Sequence, residues 1–110
     1  MGVNIVLSIE AHNFINAQSD EVKEKINANI RRIENGIISP KLFKKLKGTE
    51  IWELRTQYAG MAYRILAFWD KKQRSLVIAT HGFVKKSAKT PAKEIAKAEA
   101  IMNEYFNSKK

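Results

Sequence analysis

The sequence predicts a single α+β domain across residues 1–110: a small, mostly antiparallel β-sheet with helices packed on one face. Three observations predict it. The apolar spacing is helical from Ser19 to Gly36. It turns to period two between Ile51 and Val84. It becomes helical again after Pro91, and only short turns interrupt the β-rich stretch.

The elements follow in order. "VNIVLSIEA" reads as a first strand, and "FINAQ" as the start of a helix. Ser19 and Asp20 supply caps, and Val22, Ile26, Ile30 and Ile33 then recur at steps of four, four and three. That spacing makes one apolar stripe, closed near Gly36. "SPKLFKKLKG" predicts a compact second helix, with Ser39 as cap, Pro40 at its first position and Gly48 past its end. Leu42, Phe43 and Leu46 would face inward and the lysines outward. "IWELR" alternates as a strand, Trp52 and Leu54 on one face, Glu53 and Arg55 on the other. "MAYRILAFW" (61–69) is a longer strand in which Arg64 is the one charge. "DKKQRS" is a turn, and "LVIATH" is a third strand that "GFV" prolongs. Thr90 and Pro91 then predict the cap and first position of a last helix, whose apolar face is Ile95, Ala98, Ile101, Met102, Tyr105 and Phe106.

Composition narrows the function. The chain of 110 residues has 20 Lys and Arg against 11 Asp and Glu, a net charge of +9. The excess is local: from Lys41 to Lys93 there are 13 cations and three acids, and elsewhere seven cations and eight acids. Such a half attracts a polyanion through counterion release, with a solubilising surface as the plain alternative. Lys41, Lys44, Lys45, Lys47 and Lys89 are the candidate RNA-binding side chains. Cysteine is absent, so disulfides and thiolate metal sites are excluded, and the expected location is the cytoplasm. No apolar run is long enough to span a membrane, and the N-terminus lacks the basic start and cleavage site of a secretory signal.

The chemistry is equally restricted. His12 and His81 lie far apart, and there is no HExxH pattern, acidic cluster, P-loop or nucleophile elbow. Neither a metal nor another cofactor is expected. What remains is cationic: Arg55, Arg64, Lys85 and Lys86, with His81 and Glu53 near them. Such groups suffice to cut RNA without metal, because the RNA's own 2′-hydroxyl can attack its phosphate. The protein need only move two protons and stabilise a phosphorane, a task for guanidinium groups. Each residue also has a plainer account. Arg64 could pair with Glu53 across strands, His81 could be a satisfied structural histidine, and Lys85 and Lys86 could be a solvated loop.

The strings "IWELR", "YRILAFW" and "LVIATHGFVKKSAKTPAKEIAKAEAIMNEY" resemble the phage-derived, HigB-like branch of the RelE/ParE toxin superfamily. The close resemblance covers residues 51–105, and its most specific part is the basic loop before the last helix. It implies a sheet with an N-terminal helical hairpin packed on it and a C-terminal helix. It implies a type II toxin that cuts mRNA on the ribosome and is paired with a helix-turn-helix, HigA-like antitoxin. It also implies that Arg64 meets the scissile phosphate, that Arg55 ends the preceding strand beside it, and that Lys85 and Lys86 are the basic pair of the loop. The general base and acid stay open, with His81 and Glu53 as candidates. A ParE-like gyrase inhibitor and a non-catalytic nucleic-acid-binding module are the alternatives.

Overall fold

The computed structural model describes residues 2–86 and 89–109. Five strands form one sheet in the order β1-β5-β4-β3-β2. They are β1 (Asn4–Leu7), β2 (Phe43–Lys45), β3 (Trp52–Tyr58), β4 (Met61–Trp69) and β5 (Leu76–Lys85). The helices are α1 (Ile9–Asn16), α2 (Asp20–Glu34) and α3 (Ala92–Ser108). Every strand pair is antiparallel except β1 with β5. Among the described residues no helix is long and apolar enough to cross a membrane.

The α2 stripe is as spaced: Val22, Ile26, Ile30 and Ile33 are all buried, and the Ser19 hydroxyl accepts from Val22 N. Helix α1 starts earlier than "FINAQ" suggests. Ser8 Oγ caps it, accepting from Ala11 N at 3.0 Å, so that string is the helix's end.

Two expectations need correction. Residues 39–48 are not a helix. The chain makes one turn, closed by Leu42 N and Phe43 N on Ser39 O, and then pairs as β2 with β3. Phe43 decides this: as a strand residue it enters a cluster with Trp52, at 4.8 Å between ring centroids, and Trp69 at 6.0 Å. Lys44 and Lys45 stay exposed on this edge strand, where charge discourages further pairing.

Helices also cover both faces of the sheet, not one. On one face α1 and α2 pack on Ile5, Leu54, Ile65, Ala67, Val77 and Ala79. On the other, α3 packs Ala98, Met102, Tyr105 and Phe106 on Ile51, Leu66 and Phe68. Apart from Arg64, strand β4 is apolar on both sides, as befits a central strand with helices on both faces.

One irregularity positions the site. Leu66 pairs with His81 but Ala67 pairs with Ala79, so Thr80 is an extra residue in β5. Its hydroxyl donates to Leu66 O at 3.1 Å. A bulge of one residue reverses which side chains face which way. Val77 and Ala79 therefore point to α1 and α2, while His81, Phe83 and Lys85 point to the α3 face.

Candidate active site

Helix α3 packs on β4 and β5. Beyond its N-terminus lies an open groove of about 770 Å³, lined by Lys44, Lys47, Glu53, Arg55, Lys85, Lys89 and Thr90, with Leu46, Pro91, Ala92 and Ile95. Its floor is built by strand alternation. Glu53 and Arg55 share the outer face of β3 because Leu54 and Trp52 take the inner one. Arg64 lies on the same face of β4, buried against Glu53 and not itself lining the groove, and the bulge brings Lys85 there from β5.

These four side chains form one cluster, buried except for Arg55, whose side chain is 29% exposed. Glu53 is only 2% exposed and Arg64 only 4%. Glu53 Oε1 is 3.3 Å from Arg64 Nε, 3.4 Å from Arg55 Nε and 4.0 Å from Lys85 Nζ. The second oxygen, Oε2, accepts from the Thr90 hydroxyl. Arg55 also donates from Nη1 to Pro40 O at 2.9 Å, and Arg64 from Nη1 to Tyr63 O at 3.1 Å. The Nε atoms of Arg55 and Arg64 are buried without a well-directed hydrogen bond. One carboxylate thus faces three cations in a place poorly reached by water.

The electrostatics follow from that excess. Burial lowers the Arg64 guanidinium from its ordinary value; Glu53 opposes the shift and Arg55 adds to it. Burial likewise lowers the Lys85 ammonium, whose side chain is 7% exposed. Glu53 pulls it back up, and Arg64, Arg55 and Lys44 push it further down.

The other expected residues fall in different places. His81, 2% exposed, is bound on both ring nitrogens: Nδ1 to Thr80 Oγ1 at 3.0 Å and Nε2 to Glu94 Oε1 at 2.9 Å. It ties β5 to the first turn of α3 and does not line the groove. Lys86 is exposed and outside the cluster, and Lys41 and Lys45 do not line the groove either; Lys45 pairs with Glu50 at 3.5 Å. Lys44, Lys47 and Lys89 do line it. Ser87 and Ala88 of the basic loop lie outside the described residues. Thr90 is not the helix cap. Pro91 holds that position without a side-chain cap bond, and the Thr90 hydroxyl goes to Glu53 instead. Sequence reading missed Thr90 as part of the site, since nothing local distinguishes a capping threonine from one that reaches back to a distant strand. Among the described residues no three metal-ligating side chains come together.

Residues 13–103 match the family described as phage-derived protein Gp49-like (DUF891). No curated protein sequence matches significantly. Three solved structures share the fold at low identity. A free-state mutant of Escherichia coli toxin RelE, with two arginines replaced by alanine, is 15% identical. It aligns over 91% of this chain and 97% of its own with a TM-score of 0.63. The intact E. coli RelBE toxin–antitoxin complex aligns at 14% identity, over 79% of this chain and 99% of the other, with a TM-score of 0.57. The RelBE2 toxin–antitoxin complex of Mycobacterium tuberculosis aligns at 13% identity, over 77% and 100%, with a TM-score of 0.52. The fold is that of the RelE toxins, and the chain belongs to the phage-derived Gp49-like family.

Proposed function

We propose that the chain is the toxin of a type II toxin–antitoxin pair and that it cuts messenger RNA on the ribosome. The observation that carries this reading is the cluster of Arg55, Arg64 and Lys85 around one carboxylate, of which Glu53, Arg55 and Lys85 line a groove together with Lys44, Lys47 and Lys89. Three cations against one anion leave a positive excess where water is scarce, and a phosphodiester supplies the missing negative charge.

In this reading the 2′-hydroxyl of the RNA attacks the adjacent phosphorus. Its proton leaves, the bond from phosphorus to the 5′-oxygen breaks, and that oxygen takes a proton. The products are a 2′,3′-cyclic phosphate and a 5′-hydroxyl. Arg64 and Arg55 stabilise the extra charge on the phosphorane. Lys85, which lines the groove, takes the 2′-hydroxyl proton, and burial lowers its ammonium from the ordinary value in the sense this role needs. The wall lysines hold neighbouring phosphates. The partner would be a helix-turn-helix, HigA-like antitoxin; two of the structurally similar proteins are described as toxin–antitoxin complexes.

Controlled production in a bacterial host tests the reading. Growth arrest is expected, with transcripts cut in translating extracts and left whole when ribosomes are removed. DNA-damage signalling with intact transcripts would instead assign the chain to gyrase inhibition. Binding without either effect would leave a nucleic-acid-binding module.

A further inference from the structure

The cluster has a feature the cleavage chemistry does not itself require: its own internal anion. Glu53 lies under Arg64, Arg55 and Lys85 and uses both carboxylate oxygens, Oε1 on the cations and Oε2 on the Thr90 hydroxyl. A general base must reach the proton it takes, and Glu53, only 2% exposed, faces three cations and the Thr90 hydroxyl instead. From this geometry we infer that Glu53 is a positioning residue that competes with the substrate phosphate for the same three cations. It holds Arg64 and Lys85 in place before substrate arrives, and it weakens phosphate binding by its like charge. The inference rests on the phosphate reading of the groove.

The physical argument has two parts. Arg55 and Arg64 stand directly opposite each other in the β3–β4 ladder, an arrangement that like charges disfavour. Glu53 sits between their Nε atoms, at 3.4 and 3.3 Å, and makes the pair tolerable. A phosphate that reaches the same guanidinium groups then lies close to a buried carboxylate, and in such surroundings two anions repel strongly. Binding is weakened, while the developing charge of the phosphorane meets cations that are already oriented. Glu53 therefore favours turnover over ground-state binding.

Glu53 also acts on Lys85. The charged groups facing Lys85 are Glu53 and Arg55 on β3, Arg64 on β4 and Lys44 on β2; Glu53 alone favours the ammonium form. Without it, Lys85 loses its proton at lower pH.

The test compares Glu53→Gln and Glu53→Asp with the wild type, using circular dichroism to confirm folding. Two probes are used: ribosome-bound mRNA for steady-state cleavage, and a 2′-O-methyl RNA oligomer, which cannot be cut, for binding to the free protein. For Glu53→Gln, plateau kcat should fall about tenfold or more while KM and the oligomer Kd fall at least about fivefold. The rising limb of its pH–rate profile should move to lower pH. Glu53→Asp keeps the charge but shortens its reach, so kcat should fall with KM near wild type; this variant decides the matter if the glutamine form does not fold. A fall in kcat with KM unchanged or raised in Glu53→Gln would overturn the inference, as would full kcat in Glu53→Asp. If the wild type cuts nothing yet Glu53→Gln binds the oligomer more tightly, cleavage is lost as a function and the competition between Glu53 and phosphate stands.

Discussion

Arg64 does not pair with the residue opposite it. Its neighbour on β3 is Arg55, yet its Nε lies 3.3 Å from Glu53 Oε1, on a residue whose own partner on β4 is Leu66. The ion pair with Glu53 and the phosphate role are not rival accounts of this arginine. A guanidinium presents five donors, and the contacts to Glu53 and Tyr63 O leave others for a ligand.

Replacement of Arg64 should therefore remove activity and keep the fold. Arg64→Ala should lower ribosome-dependent cleavage by about 10²–10³-fold, the usual loss for one group that stabilises transition-state charge. Arg64→Lys should not restore it, because a point charge cannot match the guanidinium fork. Single-turnover cleavage with circular dichroism checks both. Wild-type rates in either variant would take Arg64 out of the reaction.

The two adjacent lysines at the end of β5 should separate sharply. Lys85 is buried beside Glu53, whereas Lys86 is exposed. Of the two, Lys85 lines the groove and Lys86 does not, so one cannot stand in for the other. Lys85→Ala should cost about 10²-fold or more in kcat if it moves a proton, and Lys86→Ala should chiefly reduce the salt dependence of binding by about one charge. For the wild type the rate should rise with pH through the lowered Lys85 value and then level off, since the neutral amine is the working form. A flat profile in the wild type, or equal losses in the two variants, would contradict these roles.

The strands and α2 were legible because their signals are local. Apolar spacing places Val22, Ile26, Ile30 and Ile33 on one stripe, and alternation separates Trp52 and Leu54 from Glu53 and Arg55. The short β2 was not legible. Ser39, Pro40 and Gly48 carry sound helix punctuation, but the aromatic cluster around Phe43 overrides it. The site was half legible. Its cations stand out by type, yet their convergence depends on the bulge at Thr80. Strict alternation along β5 would place Lys85 with Val77 and Ala79, under α1 and α2 and away from Glu53. No residue type announces that extra position in advance.

The glycine of "HGFVKK" has a packing reason. A Cβ on Gly82 would lie 2.1 Å from Phe14 Cδ2 and 2.5 Å from its Cγ, so the α1 ring rests directly on the β5 backbone. Gly82→Ala should destabilise the domain by about 1–3 kcal/mol through overpacking. Phe14→Leu should recover part of that loss in a double-mutant cycle, because the smaller side chain yields the space. Urea unfolding of the four proteins measures the coupling, and strict additivity would show that Phe14 is not the obstacle.

A pH-dependent latch holds the far end of α3. Tyr105 donates its hydroxyl to Asp70 Oδ2 at 2.6 Å, while Lys72 N and Gln73 N both donate to Oδ1 at 2.8 Å. These bonds, the tyrosine's first among them, lower the Asp70 carboxyl to about 2 from an ordinary 3.8, and the same contact raises the Tyr105 hydroxyl. A depressed carboxyl value stabilises the folded state above the unfolded value and loses that contribution as pH falls through the folded one. The latch should therefore be complete above about pH 4 and weaken toward pH 2. The raised tyrosine sets the other limit: its contribution is present below about pH 10 and disappears as pH rises through its folded value. Tyr105→Phe removes the first cause of the carboxyl shift and leaves the two backbone bonds. Thermal unfolding between pH 2 and 7 should then show a shallower acid limb in the variant than in the wild type. The stability difference should be constant from about pH 5 to 7 and should narrow as Asp70 is protonated. Parallel acid limbs in the two proteins would mean that Tyr105 does not tune Asp70, and that α3 is held by its apolar face on Phe68 alone at this end.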